Sequence, residues 1–225
     1  MHKDQTHYRT LQEAIDYPYD FSISEIISEG WASVKGAKLP IFLIGLIIMV
    51  ATVLLYLVAG LIFSGLSEQA AALVILPIEL ITFTLGLGLI IVSLKLSNRE
   101  TVNVWQDFLS FRHYFWPLCL MVIVTGLVTT LGFMLLIIPG VYLVTAYSLT
   151  YWILIIHPDA GFWNIMEASR KIVTRHWFKF FFLNLILGII LSISAIPFGI
   201  GLIWTVPLFT LSYAAIFKKI FIKTP

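Results

Sequence analysis

From Ile41 to Phe63 the chain runs without one charged side chain. Stretches of this kind recur along its length, and several exceed the ~18 apolar residues that mark a membrane span. The feature constrains the fold severely. In hydrocarbon every backbone N–H and C=O must be satisfied within the structure, so only helices and closed barrels can cross. Uninterrupted apolar runs lack the alternation of a barrel strand, which leaves helices. Composition agrees: 60% of the 225 residues are hydrophobic, 12% are charged, and mean hydropathy is +0.97. A soluble domain of this size could not bury so much apolar surface.

The apolar runs predict an all-α integral membrane protein with six transmembrane helices. The first spans Ile41 to Phe63, and the second ends at Leu94. The third spans Phe115 to Ile138 and the fourth Val141 to Ile156. The fifth spans Trp177 to Ile196 and the sixth Phe198 to Phe217. Residues 1–21 read as a polar tail without a cleavable signal, and residues 22–225 as a single membrane domain.

The placement of lysine and arginine orients the spans. Lys3, Arg9, Lys35 and Lys38 precede the first. Lys95, Arg99 and Arg112 separate the second from the third. Arg170, Lys171, Arg175 and Lys179 lie around the junction of the fourth and fifth, and Lys218, Lys219 and Lys223 follow the sixth. All 14 basic residues are thereby placed, and none falls in the other three connections. The positive-inside rule then puts both termini in the cytoplasm. The three outer connections, "SGLSEQAA", "PG" and "PFG", are too short for an outer domain.

The inner connections are amphipathic. In "SISEIISEGWASVK", Ile23, Ile26, Ile27, Gly30 and Val34 form a stripe, and Ser22 with Glu25 has capping-box spacing. In "TVNVWQDFLSFR", Val102, Trp105, Phe108 and Leu109 fall together. In "DAGFWNIMEASRKIVTRH", Phe162, Ile165, Met166, Ser169, Ile172 and Val173 do, with Asp159 as a possible N-cap. Each reads as a helix lying in the cytoplasmic interface, apolar side toward lipid. Trp31, Trp105, Trp116, Trp163 and Trp177 suit the same belt. The architecture expected is three hairpins, each preceded by an in-plane helix, in units of about 22–98, 99–157 and 158–222. Pro77, Pro139 and Pro197 would mark corresponding outer turns.

At "LLIIPGVYLVTAYSLTYWILIIHPDAGFWNIMEASRKIVTRHWFKFF" and "GIGLIWTVPLFTLSYAAIFKKI" the sequence resembles small bacterial inner-membrane proteins of uncharacterised families. These are related to the membrane domain attached to some glycerophosphodiester phosphodiesterases. The likeness covers roughly residues 20 to 222. It implies a six-helix inner-membrane protein and carries over no catalytic residue, because the phosphodiesterase barrel is absent.

Chemistry-bearing patterns are few. No P-loop, dinucleotide fingerprint, nucleophile elbow or paired-histidine zinc motif is present. The lone cysteine, Cys119, sits in an apolar run and reads as a small buried hydrophobe. His113, His157 and His176 read as interfacial residues rather than metal ligands, and neither a metal nor a cofactor is expected. Asn184 is the clearest polar residue within a span, and it more often joins helices than binds substrate. Glu79, in "ILPIELITFTLGLGLII", lies two turns inside the membrane if the second span begins near Ala71. It lies at the outer lip, level with Tyr142, if Pro77 is a turn and the span begins at Ile78; the repeat favours the lip. Arg170, Lys171 and Arg175 suit anionic lipid headgroups. Glu79, Asn184, Tyr142, Arg170, Lys171 and Arg175 are thus the candidate contacts for solute or lipid. The partners expected are membrane lipids at the cytoplasmic face, with a protein partner or a second copy as a further option and no role for nucleic acid. The function expected is a non-enzymatic one, organising or handling lipid or other envelope components. The alternatives are a small transporter or channel and, on the strength of Glu79 alone, a membrane enzyme.

Overall fold

A computed structural model of the chain describes residues 8–63, 65, 67–196 and 199–223. It is all-helical, and its only β feature among the described residues is an isolated bridge between Tyr8 and Ile222. The helices are α1 (Leu11–Asp16), α2 (Ile23–Ile62), α3 (Glu68–Ser97), α4 (Val104–Leu109), α5 (Phe115–Leu135), α6 (Ile137–Ala146), α7 (Thr150–Ile156), α8 (Phe162–Arg175), α9 (Trp177–Ala195) and α10 (Leu202–Phe221). Five segments are long and apolar enough to cross a membrane: α2, Leu73–Ser97 of α3, α5, the α6–α7 segment Ile137–Ile156, and α9.

The first in-plane helix and the first span are one rod. α2 runs unbroken for 40 residues, or about 60 Å at the helical rise. That is twice the hydrocarbon thickness. Pro40 removes one backbone donor but does not end the helix. The reason is tertiary: Ile26, Gly30, Val34, Ala37, Ile41 and Ile44 form one buried stripe that passes straight through the proline. The first half of that stripe faces protein, not lipid. Gly30 meets Ser212 of α10 so closely that a Cβ there would lie 2.4 Å from the serine Oγ. The capping box is also not formed. Ser22 makes no side-chain cap to α2, and Glu25 pairs with Lys219.

The helix expected as the sixth span is the hub of the core. Thirteen of the twenty residues of α10 are buried, and the helix packs against α2, α3 and α9. It is not among the five apolar segments. Its small and hydroxyl residues Thr210, Ser212, Ala214 and Ala215 permit close helix approach, while Phe217 and Phe221 fill the C-terminal end.

Two of the proposed turn prolines behave differently from expectation. Pro77 lies inside α3, which begins nine residues earlier behind an N-cap from Ser67. It marks no turn, so the alignment of the first unit with the others fails there. The turn expected at Pro139–Gly140 falls at Leu136 instead. Pro139 instead occupies the first turn of α6, where a missing N–H costs nothing. The chain reverses over one residue because Gly132 and Gly140 let α5 and α6 touch. A Cβ on Gly140 would lie 2.3 Å from the Phe133 ring. Pro197 lies outside the described residues.

The other two amphipathic segments also turn toward protein. Of the stripe expected around α4 only Phe108 is buried, packed on Gly88, while Trp105 and Leu109 are exposed. In α8 the expected stripe is right, since Ile165, Met166, Ser169, Ile172 and Val173 are all buried. It lies on protein, however: these apolar residues except Met166 belong to the main core, and Ser169 Oγ donates to Ala146 O at 2.8 Å. Gly161, with φ of +77°, precedes this helix, and Asp159 makes no cap.

Residues 8–21 are not a free tail. Ala14, Tyr19 and Phe21 join the core, and Tyr19 donates to Ile172 O at 2.7 Å. Arg9 is buried against the C-terminal end of α10. Its guanidinium donates to Ile220 O at 2.8 Å and Ile222 O at 2.7 Å and stacks on Tyr17. Arg175 in turn donates to Ile15 O and Tyr17 O at the end of α1. Both cations complement helix C-termini, where carbonyls lack partners.

Candidate functional site

A cavity of about 540 Å³ lies where α6, α7, α9 and α10 converge, with α3 and α5 contributing one residue each. That volume is within the range of small-molecule sites. Its wall is apolar, from Ile90, Phe133, Val141, Val144, Phe181, Leu185 and Phe209. Phe133, Val144 and Leu185 are themselves exposed at the protein surface, so the rim is apolar as well. Among the described residues no charged side chain lines it.

Against this wall stands a cluster of neutral polar groups. The Tyr213 hydroxyl donates to Asn184 Oδ1. Trp152 stacks on Tyr213 with centroids 6.0 Å apart and fixes the ring. Ser148 follows α6 in a short turn, and its Oγ is buried beside the Tyr213 hydroxyl without a well-aligned hydrogen bond. Tyr151 shares a 2.9 Å hydrogen bond with Thr125. A second groove of about 400 Å³ shares Asn184 and Leu185 and continues along α9 past Gly188 and Ser192 to Ile193. That is roughly 13 Å of helix. Gly188 leaves open space, since a Cβ there would meet nothing within 4 Å.

The expected site residues are divided among three places. Asn184 belongs to the cavity. Tyr142 does not share a lip with Glu79: its hydroxyl bonds Thr174 of α8 at 2.9 Å, and its ring stacks on Trp177 at 6.2 Å. The repeat-based level failed for Tyr142 because it rested on Pro77 being a turn. Trp177 stacks in turn on Phe181, a wall residue of the cavity. Arg170 adjoins Tyr142 and grips Glu167 through two bonds of 2.8 and 2.6 Å. The Arg170 guanidinium holds the Glu167 carboxyl below its ordinary range, and the same contact raises Arg170. Lys171 reaches the same carboxylate at 3.6 Å. Two cations on one anion leave this face of α8 net positive. Arg175 is committed to the carbonyls of the N-terminal segment.

Glu79 sits elsewhere, on the hairpin-like pairing of α2 with α3. It accepts a hydrogen bond from Tyr56, and one turn away Thr52 and Thr82 are 3.2 Å apart. These contacts read as polar fastening between two helices. Glu79 lies about 24 Å along α3 from Lys95, toward the far end of the span.

His157 and His176 each bond a backbone carbonyl of the N-terminal segment, Arg9 O and Tyr19 O. Among the described residues, no three His, Cys, Asp or Glu side chains are placed to hold a metal ion. Sequence reasoning missed Ser148, Tyr151 and Tyr213 as site residues. The available signal was a cluster of hydroxyls in otherwise apolar windows, and nothing in their spacing brings them together. Comparison with known proteins gives no match: no family model, curated protein or solved structure is similar to this chain.

Proposed function

We propose that this is a non-enzymatic, multi-pass protein of the bacterial inner membrane that takes a lipid chain from the bilayer into the cavity beside α9. The observation that carries the reading is a cavity with an apolar wall, an apolar rim and a small neutral polar cluster. A water-soluble solute would have to pass that rim without a polar partner, whereas an acyl chain would not. The net-positive face formed by Arg170 and Lys171 adjoins the Tyr142–Trp177–Phe181 stack that leads to the wall, and it suits an anionic headgroup. In this reading α10 is the sixth crossing. A helix shielded by α2, α3 and α9 need not be apolar all round. Both termini are cytoplasmic, as the basic residues require. The likeness to the membrane domain attached to glycerophosphodiester phosphodiesterases belongs to the same proposal. The transporter alternative has less support, because Glu79 is fastened to Tyr56 and does not line the cavity.

The experiment is lipid retention by native mass spectrometry after release from nanodiscs. Gly188→Phe fills open space in the groove and is expected to remove most of the retained lipid without loss of folding. Arg170→Ala with Lys171→Ala is expected to lower the anionic share. Unchanged retention in Gly188→Phe would overturn the proposal.

A further inference from the structure

The polar cluster of the cavity has a donor surplus. Tyr213 satisfies Asn184 Oδ1, while among the described residues neither hydrogen of Asn184 Nδ2 has an acceptor. The Ser148 hydroxyl is buried beside the Tyr213 hydroxyl without a well-aligned hydrogen bond, and it offers a second donor at the same cavity. Unmet polar groups in an apolar setting are costly, so a ligand that fits must bring an acceptor. It cannot bring a charge, because no charged residue lines the cavity and a buried unpaired ion is far more costly. A bare hydrocarbon chain would leave Asn184 and Ser148 unsatisfied. A carboxylate or phosphate would lack a counter-charge there.

From this complementarity, and resting on the lipid reading above, we infer that Asn184 and Ser148 recognise the ester carbonyl of an acyl chain. The ligand is then an ester-linked glycerolipid rather than a free fatty acid or a hydrocarbon. One chain lies along the groove past Gly188, its ester carbonyl meets the Asn184 amide, and the charged headgroup stays outside. Asn184 is a binding and specificity-determining residue in this arrangement, and Tyr213 is a positioning residue that orients its amide.

The test offers nanodisc-embedded protein an equal mixture of diester and diether phosphatidylglycerol of matched chain length. The two differ in their carbonyls and share the headgroup. Native mass spectrometry reads the ratio retained. Two hydrogen bonds predict about a tenfold preference for the diester. Ser148→Ala removes the second donor and is expected to cut the preference severalfold. Asn184→Leu is expected to abolish it while diether retention persists. If both lipids are retained equally and Gly188→Phe still expels both, the carbonyl inference is wrong and the lipid reading stands. If neither lipid is retained, both fail together.

Discussion

The crossing of α2 and α10 separates two accounts of residues 22–39. Either they lie on lipid, as their amphipathic pattern suggests, or they are a core helix. Gly30 and Gly36 lie in the same helix and make the distinction measurable. A Cβ on Gly30 would lie 2.4 Å from Ser212 Oγ, 3.1 Å from its N and 3.2 Å from its Cα. A Cβ on Gly36 would meet nothing within 4 Å. Gly→Ala gains up to about 1 kcal/mol of helix propensity at either site. Only Gly30→Ala adds overpacking against a backbone that cannot move far, at about 1–3 kcal/mol. The two variants are therefore expected to differ by about 1–3 kcal/mol, or roughly 2–12 °C in Tm for a chain of this length. Thermal melts in nanodiscs, followed by tryptophan fluorescence, measure it. Ser212→Ala deletes the nearest atom and leaves approaches of 3.1 Å and beyond, so Gly30→Ala with Ser212→Ala is expected to recover most of the loss. Equal upward shifts for Gly30→Ala and Gly36→Ala would refute the α2–α10 packing and return this segment to the lipid surface.

Arg9→Met keeps the aliphatic stem but leaves the carbonyls of Ile220 and Ile222 without their donor; a loss of about 3 kcal/mol is expected, and an unchanged Tm would reject the cap. Asp20 is held below the usual carboxylate range chiefly by its hydrogen bond from Lys179, and Glu13 by the Thr10 backbone N–H and by Lys223. A depressed folded pKa stabilises above the ordinary value and is lost as pH falls through the folded one. Amide protection factors in residues 8–22 are therefore expected to stay level from pH 7 to 5 and to fall below about pH 4, with Asp20→Asn already lower at pH 7; protection that rises with acid would contradict the sign. Glu79→Leu and Tyr56→Phe are expected to be non-additive in a double-mutant cycle of thermal stability, and strictly additive effects would free Glu79 for another role.

Local apolar periodicity was legible wherever the pattern alone decides the outcome. α5 begins at Phe115 and α9 at Trp177, as the composition change predicts. The buried stripe of α8 is the one its spacing specifies. What the stripes face was not legible, because lipid and a protein core present the same chemistry to a leucine. The continuity of α2 through Pro40 is a case in point: the local signal for a break is real, and contact with α10 overrides it. Pro77 misled in the same way. The cavity was half legible, since Asn184 stands out in its run while Tyr213, Ser148 and Tyr151 acquire meaning only when three separate helices converge.

The basic residues carry a related lesson. Their distribution orients a membrane protein whatever each side chain touches, because the positive-inside rule depends on position along the chain. Their individual roles do not follow from it. Arg9, Arg175 and Lys218 donate to backbone carbonyls, and Lys95, Lys179, Lys219 and Lys223 pair with Asp107, Asp20, Glu25 and Glu13. Among the described residues Lys35, Lys38, Arg99 and Arg112 have no side-chain partner. The charges that the positive-inside rule counts thus also fasten residues 8–22, α4 and the end of α10 to the helix bundle. A cationic face open to lipid has to be sought where a carboxylate is shared, as at Arg170 and Lys171, or where none is near. That is why Arg175, which looks equivalent to Arg170 in the sequence, is a structural cap and its neighbour a candidate for the headgroup.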